Sequence, residues 1–280
     1  MKHIARLVFT SLIAIALVAA CSEPGDVSVG FALTDAPITE SLVTAVNVTV
    51  SSVSINASAD QNLSDTDGSW ETVTIAPAIT VNLLELQDGI FEDLGDPLIL
   101  TGGTQINQIR LGVDSVEIME GAVAKTAIMP SATGLKIVNA FQIPLSGAVT
   151  ITIDFDVRKS IVANAGGYLV KPVLRAVIDN EAGTITGSVP AGVTTIYAYE
   201  NDLYTASEAT PTVVDGLVYT NAYTSALVVA ASSTYTLAFL DAGTYDLYGV
   251  DATGTVVAQL ADVIVTADTT TSGQALATTP

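Results

Sequence analysis

Residues 149–158 read Val149-Thr150-Ile151-Thr152-Ile153-Asp154-Phe155-Asp156-Val157-Arg158. Apolar side chains hold every odd position of this stretch and polar ones every even position. Side chains on an extended strand point alternately to two faces, so a period of two makes a half-buried strand. The same phase puts Asp154 and Asp156 on one face, opposite Phe155. Working outward, Val46, Val48 and Val50 alternate before the apolar phase jumps to Val53 and Ile55. Ile109, Leu111 and Val113 jump in the same way to Val116 and Ile118. An extra residue in one strand restores the inward face after such a jump, which predicts β-bulges near Ser51–Ser52 and Asp114–Ser115.

Farther along, residues 184–189, 194–200, 217–221, 235–240, 244–250 and 256–265 read as short strands. Turns such as Asp241-Ala242-Gly243 and Asp251-Ala252-Thr253-Gly254 separate several of them. One segment departs from the period of two: Leu83, Leu84, Leu86, Ile90 and Leu94 are spaced as on a helix and bracketed by Asn82 and Gly95. The expected fold is all-β, with two antiparallel β-sandwich-like domains and one short helix near 83–94.

The whole chain has 280 residues, 29 Asp+Glu against 9 Lys+Arg, and a formal charge of −20. Its mean hydropathy is nevertheless +0.52. Disorder needs low hydrophobicity together with high net charge, so this balance excludes it. With no basic surface to release counterions, nucleic acid is excluded as a partner.

The N-terminus has the parts of a secretory signal. Lys2 and Arg6 precede the apolar run Leu7–Ala20, which is 14 residues long. A spanning helix needs about 20, so a cleaved signal is expected here. Val18-Ala19-Ala20-Cys21 resembles a bacterial lipobox, with Val18 where Leu is more common. That resemblance implies a signal peptide at 1–20, lipidation of Cys21, and a tether at 21–26 holding the protein to a membrane. Ser22 after the cysteine implies sorting to the outer membrane. The alternative is an ordinary signal peptide ending beside an incidental cysteine.

Removal of residues 1–20 takes Lys2, Arg6 and the single histidine His3, leaving seven cations and a balance of −22. Those seven, Arg110, Lys125, Lys136, Arg158, Lys159, Lys171 and Arg175, all lie between positions 110 and 175. The shift after Arg175 and the loop-like Asn180-Glu181-Ala182-Gly183 suggest a boundary near 180. The expected organisation is an N-terminal β domain at 27–179, a C-terminal β-sandwich at 183–270 and a flexible tail at 271–280.

Without histidine, neither a Ser-His-Asp nor a Cys-His arrangement can be built, and the usual zinc sites go with them. Carboxylates and oxygen-ligand metals remain. Asp154 and Asp156 fit either a polar cluster with Arg158, Lys171 and Arg175 or the acid and base of a glycosidase. Catalytic pairs flank a cleft from separate elements, which favours the polar cluster. Asp65-Thr66-Asp67-Gly68 has the alternating carboxylates of a calcium loop, with Asp60, Asn62 and Glu71 as further oxygen donors; the competing reading is an acidic hairpin turn. Trp70 fits the core better than a sugar platform. Tyr197, Tyr199, Tyr204, Tyr219 and Tyr223 fit sandwich packing better than an exposed carbohydrate or protein surface.

Several stretches of the first half together resemble a family of bacterial lipoprotein domains of unknown function, number 4382. They are Leu33-Thr34-Asp35-Ala36-Pro37, Trp70, Val81-Asn82-Leu83-Leu84, Gly102-Gly103-Thr104, Ile109-Arg110-Leu111, Gly134-Leu135-Lys136-Ile137-Val138, Phe141-Gln142-Ile143-Pro144, Asp154-Phe155-Asp156, Ser160-Ile161-Val162 and the run from Gly166 to Arg175. The match spans about 33–176, with Gln105 where the family usually has an aromatic. It implies an envelope-attached β-rich domain and carries no established activity. The second half resembles carboxypeptidase-regulatory or transthyretin-like sandwiches, through Gly183-Thr184-Ile185-Thr186-Gly187 and Gly243-Thr244-Tyr245.

The expectation for function is a non-catalytic, lipid-anchored cell-envelope protein whose β surface binds a glycan or another envelope protein. No catalytic residue and no cofactor is assigned, with calcium at Asp65 and Asp67 as a candidate. The alternatives are an extracytoplasmic carboxylate-dependent enzyme, such as a glycoside hydrolase, and a calcium-dependent adhesion module.

Overall fold

The computed structural model describes residues 24–37, 42–57, 70–129, 135–164, 166–210 and 217–279. The alternating stretch forms the strand Gly147–Asp156, which sits between Asp26–Ala36 and Leu174–Ile178. Its pairing with Asp26–Ala36 is parallel, running from Val27↔Gly147 to Ala36↔Asp156, and its pairing with Leu174–Ile178 is antiparallel. Glu92–Asp93 and Leu98–Thr101 complete this sheet against Asp26–Ala36.

A second sheet is built on two long strands, Val43–Asn56 and Gln105–Glu120, with Trp70–Asn82 on one edge. Val123–Lys125 and Leu135–Gln142 both pair with Gln105–Glu120. The register slips between Val50 and Ser52, and Asp114 is skipped between the pairs Thr49↔Ser115 and Val50↔Val113. Both expected bulges are therefore present, and each keeps Val53 or Ile118 buried. Phe31, Leu33, Ile151 and Phe155 of the first sheet share one core with Val48, Val53 and Ile109 of the second. Each such side chain contributes about 1.5–3 kcal/mol by leaving water.

The all-β expectation holds, with mixed sheets in place of purely antiparallel ones. The parallel pairs also include Ala182–Ser188 with Thr270–Ala275 and Gly167–Val170 with Ala127–Ile128. The helix near 83–94 shrinks to one 3-10 turn, Leu83–Glu85. Its continuation is blocked where Asp88 and Gly89 both take left-handed backbone, at φ 60° and 88°. Asn82 starts the turn by accepting from the Leu84 amide at 3.3 Å.

In the second half, Ala182–Ser188 lies between Thr234–Asp241 and Thr270–Ala275. The other sheet runs Thr224–Leu227, Val193–Glu200, Gly243–Asp251, Val256–Val265, Ala277–Thr278. Among the described residues, no strand pairing joins residues before 179 to residues after 181. Ile185, Ile196, Leu237, Leu247 and Val265 form a core of their own, and Tyr197, Tyr199 and Tyr219 a smaller one.

Two expectations fail here. Residues 217–221 are not a strand: Tyr219 has φ 51°, and its amide closes a loop onto the Glu208 carbonyl at 2.8 Å. The neighbouring strand is Thr224–Leu227. The flexible tail at 271–280 is also corrected. Thr270–Ala275 adds in parallel to Ala182–Ser188, Ala277–Thr278 adds to Val256–Val265, and Leu276 between them is buried in the core.

Candidate functional site

The strand Gly147–Asp156 ends where the Asp156 side chain caps the turn Val157–Ser160, accepting from the Lys159 amide at 3.0 Å. That turn aims Arg158 and Lys159 back toward the carboxylate. Arg158 Nη2 lies 3.3 Å and Lys159 Nζ 3.2 Å from Asp156 Oδ2. Asp154 stands directly across from Arg175 on the neighbouring strand, and Arg175 Nη2 is 2.7 Å from Asp154 Oδ2.

All three cations continue into the second half of the chain. Arg158 Nη1 donates to the Tyr219 carbonyl at 2.7 Å and the Val218 carbonyl at 3.2 Å, and its guanidinium lies 5.2 Å from the Tyr197 ring centre. Lys159 Nζ donates to the Ala222 carbonyl at 2.7 Å. Arg175 Nη1 donates to the Phe239 carbonyl and to the Tyr223 hydroxyl, which in turn donates to Asp241. The guanidinium of Arg175 lies 4.6 Å from the Tyr223 ring centre. The cluster is thus a polar joint between the two halves.

The structure places Asp154, Asp156, Arg158 and Arg175 in one cluster, the first three buried and Arg175 half-buried, rather than on a polar outer face. Lys171 is not part of the group; its side chain is exposed, and its backbone amide donates to the Ser160 carbonyl at 2.8 Å. Lys159 takes its place. The signal for it was an Asp followed by a Lys three residues later, the spacing of a capped turn.

Asp35 joins from the opening strand. Its Oδ1 accepts from the Val157 amide at 3.0 Å, while Oδ2 has no hydrogen-bond partner among the described residues. Burial, reinforced by the charges of Asp154 and Asp156, pushes the Asp35 carboxyl well above the usual carboxylate range. Burial also raises Asp154, with Arg175 pulling the other way. For Lys159, burial outweighs Asp156 and lowers the ammonium below its ordinary value.

Other residues of the recognised pattern hold this frame. Thr34 Oγ1 donates to the Leu86 and Ile90 carbonyls at 2.9 and 2.8 Å. Any Cβ on Gly102 would sit 1.9 Å from the Leu145 carbonyl oxygen, and one on Gly167, at φ 144°, would sit 2.4 Å from that of Thr126. Tyr168 donates to Glu120 at 2.6 Å, and together with Lys125 holds that carboxyl below its usual range.

Cys21 and the calcium candidates Asp65 and Asp67 lie outside the described residues. Among the described residues, no three acidic or thiol side chains are grouped to hold a metal. Trp70 is half-buried on an edge strand, with the Arg110 guanidinium 4.0 Å from its ring centre. Tyr197, Tyr199 and Tyr219 are fully buried, whereas Tyr204 and Tyr223 are half-buried. A groove of about 450 Å³ crosses the outer face of the first sheet, floored by Ser28, Gly30, Ala148 and Thr150 and walled by Asp93 and Asp179. Burial raises Asp179, which accepts from Thr152 Oγ1 at 2.6 Å and feels Asp93 nearby.

No protein of curated function matches the sequence. Among solved structures, the minor pilin GBS52 of Streptococcus agalactiae is 10% identical, with 90% of this chain and 96% of that chain covered at a TM-score of 0.24. The TIE protein of Bacillus anthracis is 8% identical, covering 90% of this chain and 34% of that one at a TM-score of 0.21. Residues 26–172, just over half of the chain and including Asp35, Asp154, Asp156, Arg158 and Lys159, match the model of one family, described as domain of unknown function DUF4382. The chain belongs to the DUF4382 family.

Proposed function

We propose that this protein is a non-catalytic, lipid-anchored component of the bacterial cell envelope, held to the outer membrane through Cys21. Its β-rich body then serves as a rigid platform for a glycan or another envelope protein. The observation that carries the non-catalytic reading is the pairing of both carboxylates with cations of the joint. Asp156 is bonded to Arg158 and Lys159, and Asp154 to Arg175, and those cations end on backbone carbonyls of the second half. A glycosidase needs one carboxyl free to protonate a leaving group and another free to act as base or nucleophile. Here both are committed to holding the halves together.

The groove beside Asp93 and Asp179 supports the glycan arm of the reading. Its volume is in the range of ligand pockets, and its carboxylates and Thr150 would bond sugar hydroxyls. The transthyretin-like character of the second half belongs to the same proposal, as the appended module of a secreted protein.

Anchoring is tested by fractionation. Cys21→Ser should move the protein from the membrane to the soluble fraction, since acyl chains supply the membrane affinity. A variant that stays with the membrane overturns lipid attachment.

A further inference from the structure

The second half of the chain, from residue 182 on, contains nine carboxylates and no Lys or Arg. It nevertheless receives two guanidinium groups from the first half, Arg158 over Tyr197 and Arg175 over Tyr223. Both are held the same way, by a tyrosine face and backbone carbonyls. A third aromatic group lies in the same half. Tyr204 and Tyr248 stack with ring centres 3.9 Å apart, and Tyr199 meets them edge-on at 5.3 and 5.7 Å.

Tyr199 is fully buried, but Tyr204 and Tyr248 are half-exposed. The surrounding field is acidic. Glu208 acts on Tyr204 and accepts from the Tyr199 hydroxyl at 3.3 Å, while Asp246 and Asp202 act on Tyr248. Asp246 is held in place by the backbone amides of Asp202 and Asp262, each at 3.0 Å. Among the described residues, no cation of the chain lies over either half-exposed ring. Aromatic faces attract ammonium and guanidinium groups, and the attraction grows when carboxylates stand nearby and water is partly excluded.

We propose that the Tyr204–Tyr248 stack, with Asp202, Glu208 and Asp246 around it, is a docking site for a lysine or arginine side chain of a basic protein segment. The site repeats toward an outside partner the contact this half already makes with its own first half. Charge complementarity selects the occupant: a −22 mature chain whose acidic half lacks any cation of its own attracts basic segments and repels acidic ones. This inference deepens the proposed envelope-binding role and rests on it, but the site stands whether or not Cys21 is lipidated.

The test is calorimetric titration of the whole protein at 0.15 M salt with a tetra-arginine peptide, a tetra-citrulline peptide and a neutral oligosaccharide. The arginine peptide should bind, and the citrulline peptide should bind at least tenfold more weakly. Tyr204→Leu and Tyr248→Leu should each weaken arginine-peptide binding about three- to tenfold, the scale of one cation–π contact, and Tyr248→Phe should restore it. Asp202→Asn changes an exposed side chain, so its threefold or greater weakening would be read on an intact fold. Equal binding by the wild type and all these variants would mean attraction to overall charge alone and would overturn the site. Oligosaccharide binding that the Tyr204→Leu variant loses, with none by the arginine peptide, would reassign the stack to sugars. Fractionation of Cys21→Ser reports the anchor separately, so failure of one claim leaves the other readable.

Discussion

Asp154 is buried beside an arginine that is one-fifth exposed, with 2.7 Å between their charges. Removing one member of such a pair leaves the other charge without compensation, which typically costs more than the pair itself contributes. Arg175→Met should therefore destabilise the protein by about 3 kcal/mol, and adding Asp154→Asn should recover part of the loss. Urea denaturation of the two singles and the double measures that coupling, and simple additivity would contradict it. Asp35 gives a pH signature of unusual sign. Its pKa is raised in the folded state above the unfolded value near 3.8, so ionised Asp35 costs stability at neutral pH. As pH falls through the folded pKa the cost is relieved, and the gain is complete at about 3.8. The melting temperature should rise on mild acidification, and Asp35→Asn should flatten that rise; an unchanged slope would show that Asp35 is not the source.

At the scale of elements, the sequence was legible wherever side chains carried the pattern. The alternation appears as a strand through Asp156, with Val157 already opening the turn Val157–Ser160, and the phase jumps at Ser51–Ser52 and Asp114–Ser115 appear where they were read. The strand Thr270–Ala275 was not legible, because Thr-Thr-Ser-Gly-Gln-Ala has no apolar period and is held by its backbone along Ala182–Ser188. Residues 217–221 misled for the opposite reason: Val218 and Tyr219 are apolar, but a positive φ at Tyr219 turns the chain. The same limit applied to the site. Asp154 and Asp156 sharing a face followed from the period, but burial of that face depended on carbonyls 60 residues farther along, at Val218 and Tyr219. One position tests the late strand directly. A Cβ at Gly187 would lie 1.7 Å from the Gln274 carbonyl oxygen, a contact that backbone cannot escape. Gly187→Ala should strip hydrogen-exchange protection from residues 270–275 while leaving Gly147–Asp156 protected.

For the whole molecule, the distribution of charge matters more than its sum. Every Lys and Arg of the chain lies in the first half, and three of them, Arg158, Lys159 and Arg175, reach across to a second half whose charged side chains are all acidic. With separate cores and, among the described residues, no shared strand pairing, the two halves meet through this joint and the edge-on Phe91–Phe239 contact, ring centres 6.3 Å apart. High salt should weaken the joint only modestly, since partly buried charges are screened less than exposed ones; a steep loss of the melting temperature between 0.05 and 0.5 M salt (on the order of ten degrees) would place these charges at the surface instead. Calorimetric unfolding tests the central claim most directly. The wild type should unfold in one transition, and the variant Arg158→Met/Lys159→Met/Arg175→Met should unfold in two, as each half melts by itself. A single transition in the variant, at a temperature close to that of the wild type, would contradict it.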